Sequence, residues 1–392
     1  MLALRLMRGA RPLTLCRRVL LCVVSAGTSL LLLTTLGYAT TDAAAVGHAR
    51  VRLLWCLVPL AATGWLAVSV ARADPAAHAR SGMTAAGLGT VRTTALAAVS
   101  TLLTCLLGNL IALLAFLAAR GDLGLRPGLT GPVTRQLGVG HPLPLAAALT
   151  LLSLVPLSAA AGVAVSLRPG RNLPPVPAAS VRQHAPTLTH SGLPWGVALT
   201  AAGLMLVAYG SHTDIASLPS LPLPAGILPG SPLALLGWAL SATGLALVGP
   251  GLTQLCGRAL SVGSPGFVRL LSGRLLQEEY RTLGGPLGVV CAVTACTYAA
   301  ALLHGGTAGK PLGPSTLLGT ALVLACVTLS GLTAVLQVRA ARASATTTLR
   351  QMGVSGLRLH GAAALRTAAL LVVLAPVTWA VARLAAAPLT HR

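Results

Sequence analysis

The sequence predicts an all-α polytopic membrane protein, and three observations predict it. Of 392 residues, 55% are hydrophobic and only 9% are charged, and the mean hydropathy is +0.81, far outside the composition of a soluble domain of this length. Apolar runs recur nine times at the length a helix needs to cross a hydrocarbon core about 30 Å thick. None of them alternates apolar and polar residues like a membrane β-strand, and in lipid only helices otherwise satisfy every backbone group.

The nine spans are expected over 19–38, 51–71, 93–118, 144–167, 194–210, 231–249, 284–303, 314–337 and 362–384. The first follows Arg17 and Arg18, as the apolar core of a signal peptide would, but it is longer than such a core, so a retained first helix is expected. With a cytoplasmic amino terminus, 19 Lys/Arg fall in cytoplasmic segments and 8 in outer ones, the bias of the positive-inside rule. The net charge of +22 is therefore read as topology. Almost no aromatic residue interleaves the basic ones, so nucleic acid is not expected as a partner; the lipid bilayer is. The excess of Arg over Lys, with abundant Ala, Gly and Pro, points to a high-GC bacterium and its plasma membrane.

Two passes share one order of elements: a basic leader, a helix, a short outer loop, a helix, a cytoplasmic segment and a helix. The first pass is 1–118 and the second 265–384, and a shift of 266 residues pairs Arg8 with Arg274, Gly87 with Gly353 and Arg92 with Arg358. Such repeats are common in transport proteins. The expected organisation is a first permease unit over 1–167, a Pro-rich cytoplasmic linker over 168–193, a central two-helix segment over 194–250 and a second unit over 251–392. The prolines of 168–192 forbid a helix there, and the outer loop 211–226 is expected to be similarly stiff. In 264–282 the apolar residues Phe267, Leu270, Leu271, Leu275 and Leu276 fall near one face. That pattern suits a helix lying in the headgroup plane, or one folded back onto the bundle.

Chemistry is sparse. There is no GxxxxGK[ST], HExxH or GxSxG motif, so the chain is expected to hydrolyse no nucleotide and to be no enzyme, without cofactor. The eight cysteines show no metal-ligand spacing and read as packing residues, so no metal is expected. The six acidic residues, Asp42, Asp74, Asp122, Asp214, Glu278 and Glu279, all fall outside the spans, which argues against an ion-coupled carrier. Arg366, just inside the last span, is read as snorkelling to the headgroups. Asn109 is the most polar mid-membrane side chain, suited to bonding between helices or to lining a pore. Gly284 and Gly288 form a small-xxx-small pair for a close helix contact, within the chain or in a homodimer.

One stretch interrupts the spans without an acidic residue: RAARASATTTLRQMGVSGLRLHG, residues 339–361, with four arginines. Its good helix formers before Gly353 and the short apolar side of Leu349, Met352, Leu357 and Leu359 describe a cytoplasmic helix that fits a partner's groove. Equally, the arginines would serve as anchors to anionic headgroups. The wider run LACVTLSGLTAVLQVRAARASATTTLRQMGVSGLRLHGAAALRTAALLVV resembles the end of an FtsX-like (MacB-type) ABC transporter permease, in which a span leads through a charged turn into an LRxLG helix and the next span. Leu349, Arg350, Met352 and Gly353 stand at the motif positions and Arg358 continues the match. The first copy, ARADPAAHARSGMTAAGLGTVRTTALAAV, is similar and keeps Gly87 and Arg92. This chain departs from that family in lacking acidic residues in the turn, a large outer domain and a final helix in the second unit.

The resemblance implies the permease subunit of an ABC transporter. A separate ABC ATPase would dock on 72–92 and 339–361, with Leu349, Arg350, Met352, Gly353, Arg358, Gly87 and Arg92 as docking residues, and drive movement, as export, of a lipophilic or peptide-like substrate. The departures motivate an alternative: a degenerate, non-transporting membrane scaffold or sensor partner with the same fold.

Overall fold

The computed structural model describes residues 12–39, 46–73, 90–120, 145–167, 192–212, 221–222, 229–230, 232–262, 266–306, 314–342, 347, 351 and 355–390. Among them are nine long helices: α1 (Pro12–Ala39), α2 (Val46–Ala73), α3 (Thr90–Arg120), α4 (Leu145–Ser166), α5 (Gly192–His212), α6 (Pro232–Ser261), α7 (Phe267–Gly306), α8 (Pro314–Ala341) and α9 (Gly356–Thr390). Each contains a stretch long and apolar enough to cross a membrane, so the all-α polytopic architecture holds. The strand pairing among the described residues is a short antiparallel ribbon, Leu221–Pro222 against Pro229–Gly230. The Pro-rich linker 168–191 lies outside the described residues.

Local chemistry sets the helix starts. α1, α6 and α8 each begin at a proline, whose missing N–H is not needed in the first turn and whose fixed φ suits it. The outer surfaces are apolar: Leu103, Leu107 and Leu110 on α3 and Leu371 and Val372 on α9 are all more than half exposed. Side chains like these are at home against lipid and would be a liability in water.

Two groups of helices bury the core. In one, Leu21, Leu66, Cys105, Val163 and Cys326 bring α1, α2, α3, α4 and α8 together. In the other, Leu245, Leu276, Ala292, Leu374 and Ala382 join α6, α7 and α9. Leu283, Ala334 and Val338 link them where α7 meets α8. The second pass repeats the contacts of the first: α1 packs on α2 and α3, α7 packs on α8 and α9, and neither α2–α3 nor α8–α9 forms a comparable interface. A shift of 266 carries α3, Thr90–Arg120, onto 356–386, within α9, Gly356–Thr390.

Glycines decide how closely α5, α6 and α7 approach. Gly203 faces Gly237 and Gly196 faces Gly244, so a Cβ on Gly203 would lie 2.7 Å from the Gly237 carbonyl oxygen. These are antiparallel neighbours spaced by seven residues, two helical turns, on both α5 and α6. On its other side α6 meets α7 in the same way: a Cβ on Gly249 would stand 2.6 Å from Gly288 Cα, and one on Gly257 3.0 Å from the Gly273 carbonyl oxygen. The Gly284/Gly288 pair thus makes a close contact within the chain.

Two expectations about this hairpin need correction. α6 was expected to end at 249 but runs through Pro250 to Ser261. The segment 264–282 was expected to be a separate helix, in the headgroup plane or folded back and packed on the bundle; it does pack on the bundle, against α6, but residues from Phe267 onward are the first turns of α7, which is 40 residues and about 60 Å long. Packing explains both. Gly257 and Gly273 let the two backbones touch, Arg269 donates to the carbonyls of Leu260 and Ala259 at 3.0 and 3.2 Å, and Gln277 donates to Ser261 Oγ at 3.0 Å. These bonds hold the segment against α6 and leave it no reason to turn into the membrane plane.

Candidate functional site

The helices alternate in direction, so α1, α3, α5, α7 and α9 start at one end of the bundle and α2, α4, α6 and α8 finish there. This end, called here the amino-terminal end, carries most of the described arginines, including Arg18, Arg72, Arg92, Arg269, Arg274 and Arg339. In its midst is a buried carboxylate. On α7 the buried residues Ser272, Leu276, Glu279 and Leu283 recur every three or four positions, one stripe of a helix. Glu279 therefore points inward, while Glu278 beside it is exposed.

Two cations reach that carboxylate from different helices. Arg366, on α9, donates from Nη1 to Glu279 Oε2 at 3.1 Å. Arg342, the residue after α8, pairs through Nη2 with Glu279 Oε1 and donates to the Leu275 carbonyl at 3.3 Å. The side chains of Glu279, Arg366 and Arg342 are only 10, 12 and 22% exposed. Arg366 does not snorkel away to solvent, as its position in the span suggested; it turns inward because a carboxylate is within reach. Burial pushes the Glu279 carboxyl above its ordinary value, against the pull of Arg342 and then Arg366. Burial likewise lowers the Arg342 guanidinium, opposed by Glu279. Desolvation outweighs attraction for this cluster, as is common for buried ion pairs.

Arg342 directly follows α8 and Arg366 lies in the third turn of α9, so α8 and α9 are each tied to one carboxylate on α7.

The expected docking residues are mostly beyond the description. Gly87, Leu349, Arg350, Met352 and Gly353 lie outside the described residues. Arg92 is exposed in the first turn of α3, and Arg358 holds the equivalent third place in α9. The structure thus adds Glu279 and Arg342 to the site and gives Arg366 a new role. A sequence signal for the carboxylate exists: Glu279 follows Leu276 by three residues and precedes Leu283 by four, on the apolar side of its helix.

A second polar contact lies in mid-membrane. Asn109 on α3 donates from Nδ2 to the Leu152 carbonyl of α4 at 2.6 Å, and its Oδ1 accepts from Ser29 Oγ of α1. Both ends of the amide are engaged between helices, so Asn109 bonds three helices. Among the described residues, no group of three or more His, Cys, Asp or Glu side chains converges as metal ligands would.

Compared with protein-family models, with curated proteins and with solved structures, the chain matches none.

Proposed function

We propose that the chain is the membrane-spanning permease subunit of an ABC transporter, powered by a separate ATPase that docks on 72–92 and 339–361. The observation that carries this reading is that Arg342, just before the connection 343–355, and Arg366, in the third turn of the helix after it, bind the same carboxylate, Glu279. An ATPase moving that connection would shift α7, α8 and α9 as one body, and the first pass has the same helix contacts, α1 packing on α2 and α3. The FtsX-like resemblance of Leu349, Arg350, Met352 and Gly353 supports the same reading, and export of a lipophilic or peptide-like substrate is the direction it implies. The arginines at the amino-terminal end support a cytoplasmic location for that end in a bacterial plasma membrane.

The test is affinity purification of the tagged chain in mild detergent, with mass spectrometry of its companions. A stoichiometric ATPase with a Walker A motif is expected with the wild type and lost with Leu349→Asp/Met352→Asp. Failure of any ATPase to appear would sink the transporter reading, and a non-transporting scaffold with the same fold would then lead.

A further inference from the structure

Toward the end of the bundle away from the arginines, α6, α7 and α9 do not close completely on one another. They leave a shallow, partly open groove, lined from α6 by Trp238 and from α7 and α9 largely by alanines, among them Ala295, Ala299, Ala382 and Ala385. Trp238 stands five residues after Leu233, where its span begins, and Ala385 three residues before Pro388, where the last span ends. The groove therefore lies within the hydrocarbon, starting within about 8 Å of its boundary on that side.

The repeat shows what is missing there. A shift of 266 residues carries Leu33 onto Ala299 and Phe116 onto Ala382. In the first pass Leu33 and Phe116 are 0 and 2% exposed and pack with Ala148 and Leu152 of α4. In the second pass α6 stands beside the same two positions, and both are alanines lining the groove. The branched end of a leucine and a phenyl ring are absent from this copy, and the space they would fill is suited to hydrocarbon.

Trp238 covers this space at a cost. Its Nε1 is buried and has no hydrogen-bond partner among the described residues, and the Ser241 hydroxyl donates instead to the Trp238 carbonyl at 2.9 Å. A donor buried without an acceptor is unfavourable, whereas an indole turned outward near a membrane boundary meets lipid oxygens. That turn would uncover the alanines. No charged side chain lines the groove, so the part of a guest that lies in it is uncharged, and at this depth the bilayer supplies acyl chains.

We propose that the groove between α6, α7 and α9 seats one acyl chain of a membrane lipid and that the Trp238 indole is the lid that admits it. The chain takes the place that Leu33 and Phe116 fill in the first pass. The site rests neither on ATPase docking nor on transport.

The experiment reconstitutes the full chain in nanodiscs of phosphatidylcholine that carries a photoactivatable diazirine on one acyl chain, and maps the adducts by peptide mass spectrometry. Adducts on the groove residues are expected to exceed those on Leu371 and Val372, which are exposed on the outer surface of α9, by about fivefold or more. Trp238→Ala, which removes the lid, should raise the groove adducts about threefold, and Trp238→Phe, which keeps a ring but loses the N–H that draws it outward, should lower them by a similar factor. Ala299→Leu/Ala382→Phe, which restores the side chains of the first pass, should lower them about fivefold and leave those on Leu371 and Val372 unchanged. If that double variant does not fold, the two Trp238 variants decide, since they move the adducts in opposite directions. A tryptophan that only anchors its span predicts even labelling of groove and outer surface and no change in either Trp238 variant, and each of these results would overturn the proposal.

Discussion

Glu279 on α7 accepts a hydrogen bond from Arg366 on α9 at 3.1 Å, across 87 positions of sequence, while the same carboxylate pairs with Arg342 at the end of α8. The cluster is half-hidden and costs desolvation, so its value lies in joining particular helices more than in raw stability. Glu279→Leu alone removes the acceptor that the two guanidiniums share and is expected to cost about 1–3 kcal/mol. Replacing all three with apolar residues (Glu279→Leu, Arg342→Met, Arg366→Leu) should restore wild-type stability. Thermal melting in one detergent separates the cases: a triple variant as unstable as the single one would mean that the ion pairs are net stabilising.

The raised Glu279 carboxyl sets a pH dependence with a definite sign. In the folded chain Glu279 takes up its proton at higher pH than in the unfolded chain, so between the raised value and the ordinary carboxylate range the folded state binds more protons. Its contribution to stability therefore rises as pH falls through that window. Arg342 and Arg366 face the carboxyl from α8 and α9, and Glu278 is the neighbouring acid. Melting temperature measured from about pH 7 to about pH 4 should show this component in the wild type and lack it in Glu279→Gln; identical profiles would refute it.

Close backbone contact along α6 makes its glycines intolerant. Gly249→Leu and Gly237→Leu should each destabilise the chain by about 2–3 kcal/mol or prevent its accumulation, because the added side chain meets backbone, which cannot yield. Gly64→Ala on α2 is the control: its Cβ would meet nothing within 4 Å, and alanine's better helix propensity should add about 0.5–1 kcal/mol. Expression level and melting temperature in membranes read both.

Asn109 is expected to act as a bond between helices. Asn109→Leu loses the contacts to Ser29 and the Leu152 carbonyl and should cost about 1 kcal/mol, in line with hydrogen bonds between membrane helices. Asn109→Asp should cost more, since it removes the donor to Leu152 and adds a charge in lipid. Equal stability of Asn109→Leu and wild type, by unfolding in detergent, would show that the amide is dispensable.

Spans are legible because each is a local property. The run 93–118 carries no charged residue over its whole length, and the helix holds its apolar stretch at Thr94–Ala119, since burying that much apolar surface admits few alternatives. The end of α6 was not legible. Pro250 reads as a stop, but α6 runs through it where Gly249 and Gly284 bring α6 and α7 into close contact. The site was half-legible: the resemblance drew attention to the connection 339–361, while Glu279 was read only as one of six acidic residues outside the spans.

By itself the sequence determined a nine-span helical membrane protein, its repeated order of elements and the end where positive charge gathers, because hydropathy and charge act residue by residue against the bilayer. Tertiary structure alone decided that Arg366 faces inward, that Gly284 and Gly288 meet α6, and that Asn109 is shared by three helices. These outcomes depend on which helices become neighbours. Residues 87 positions apart, such as Glu279 and Arg366, have no pattern in the sequence that pairs them until α7 and α9 pack side by side.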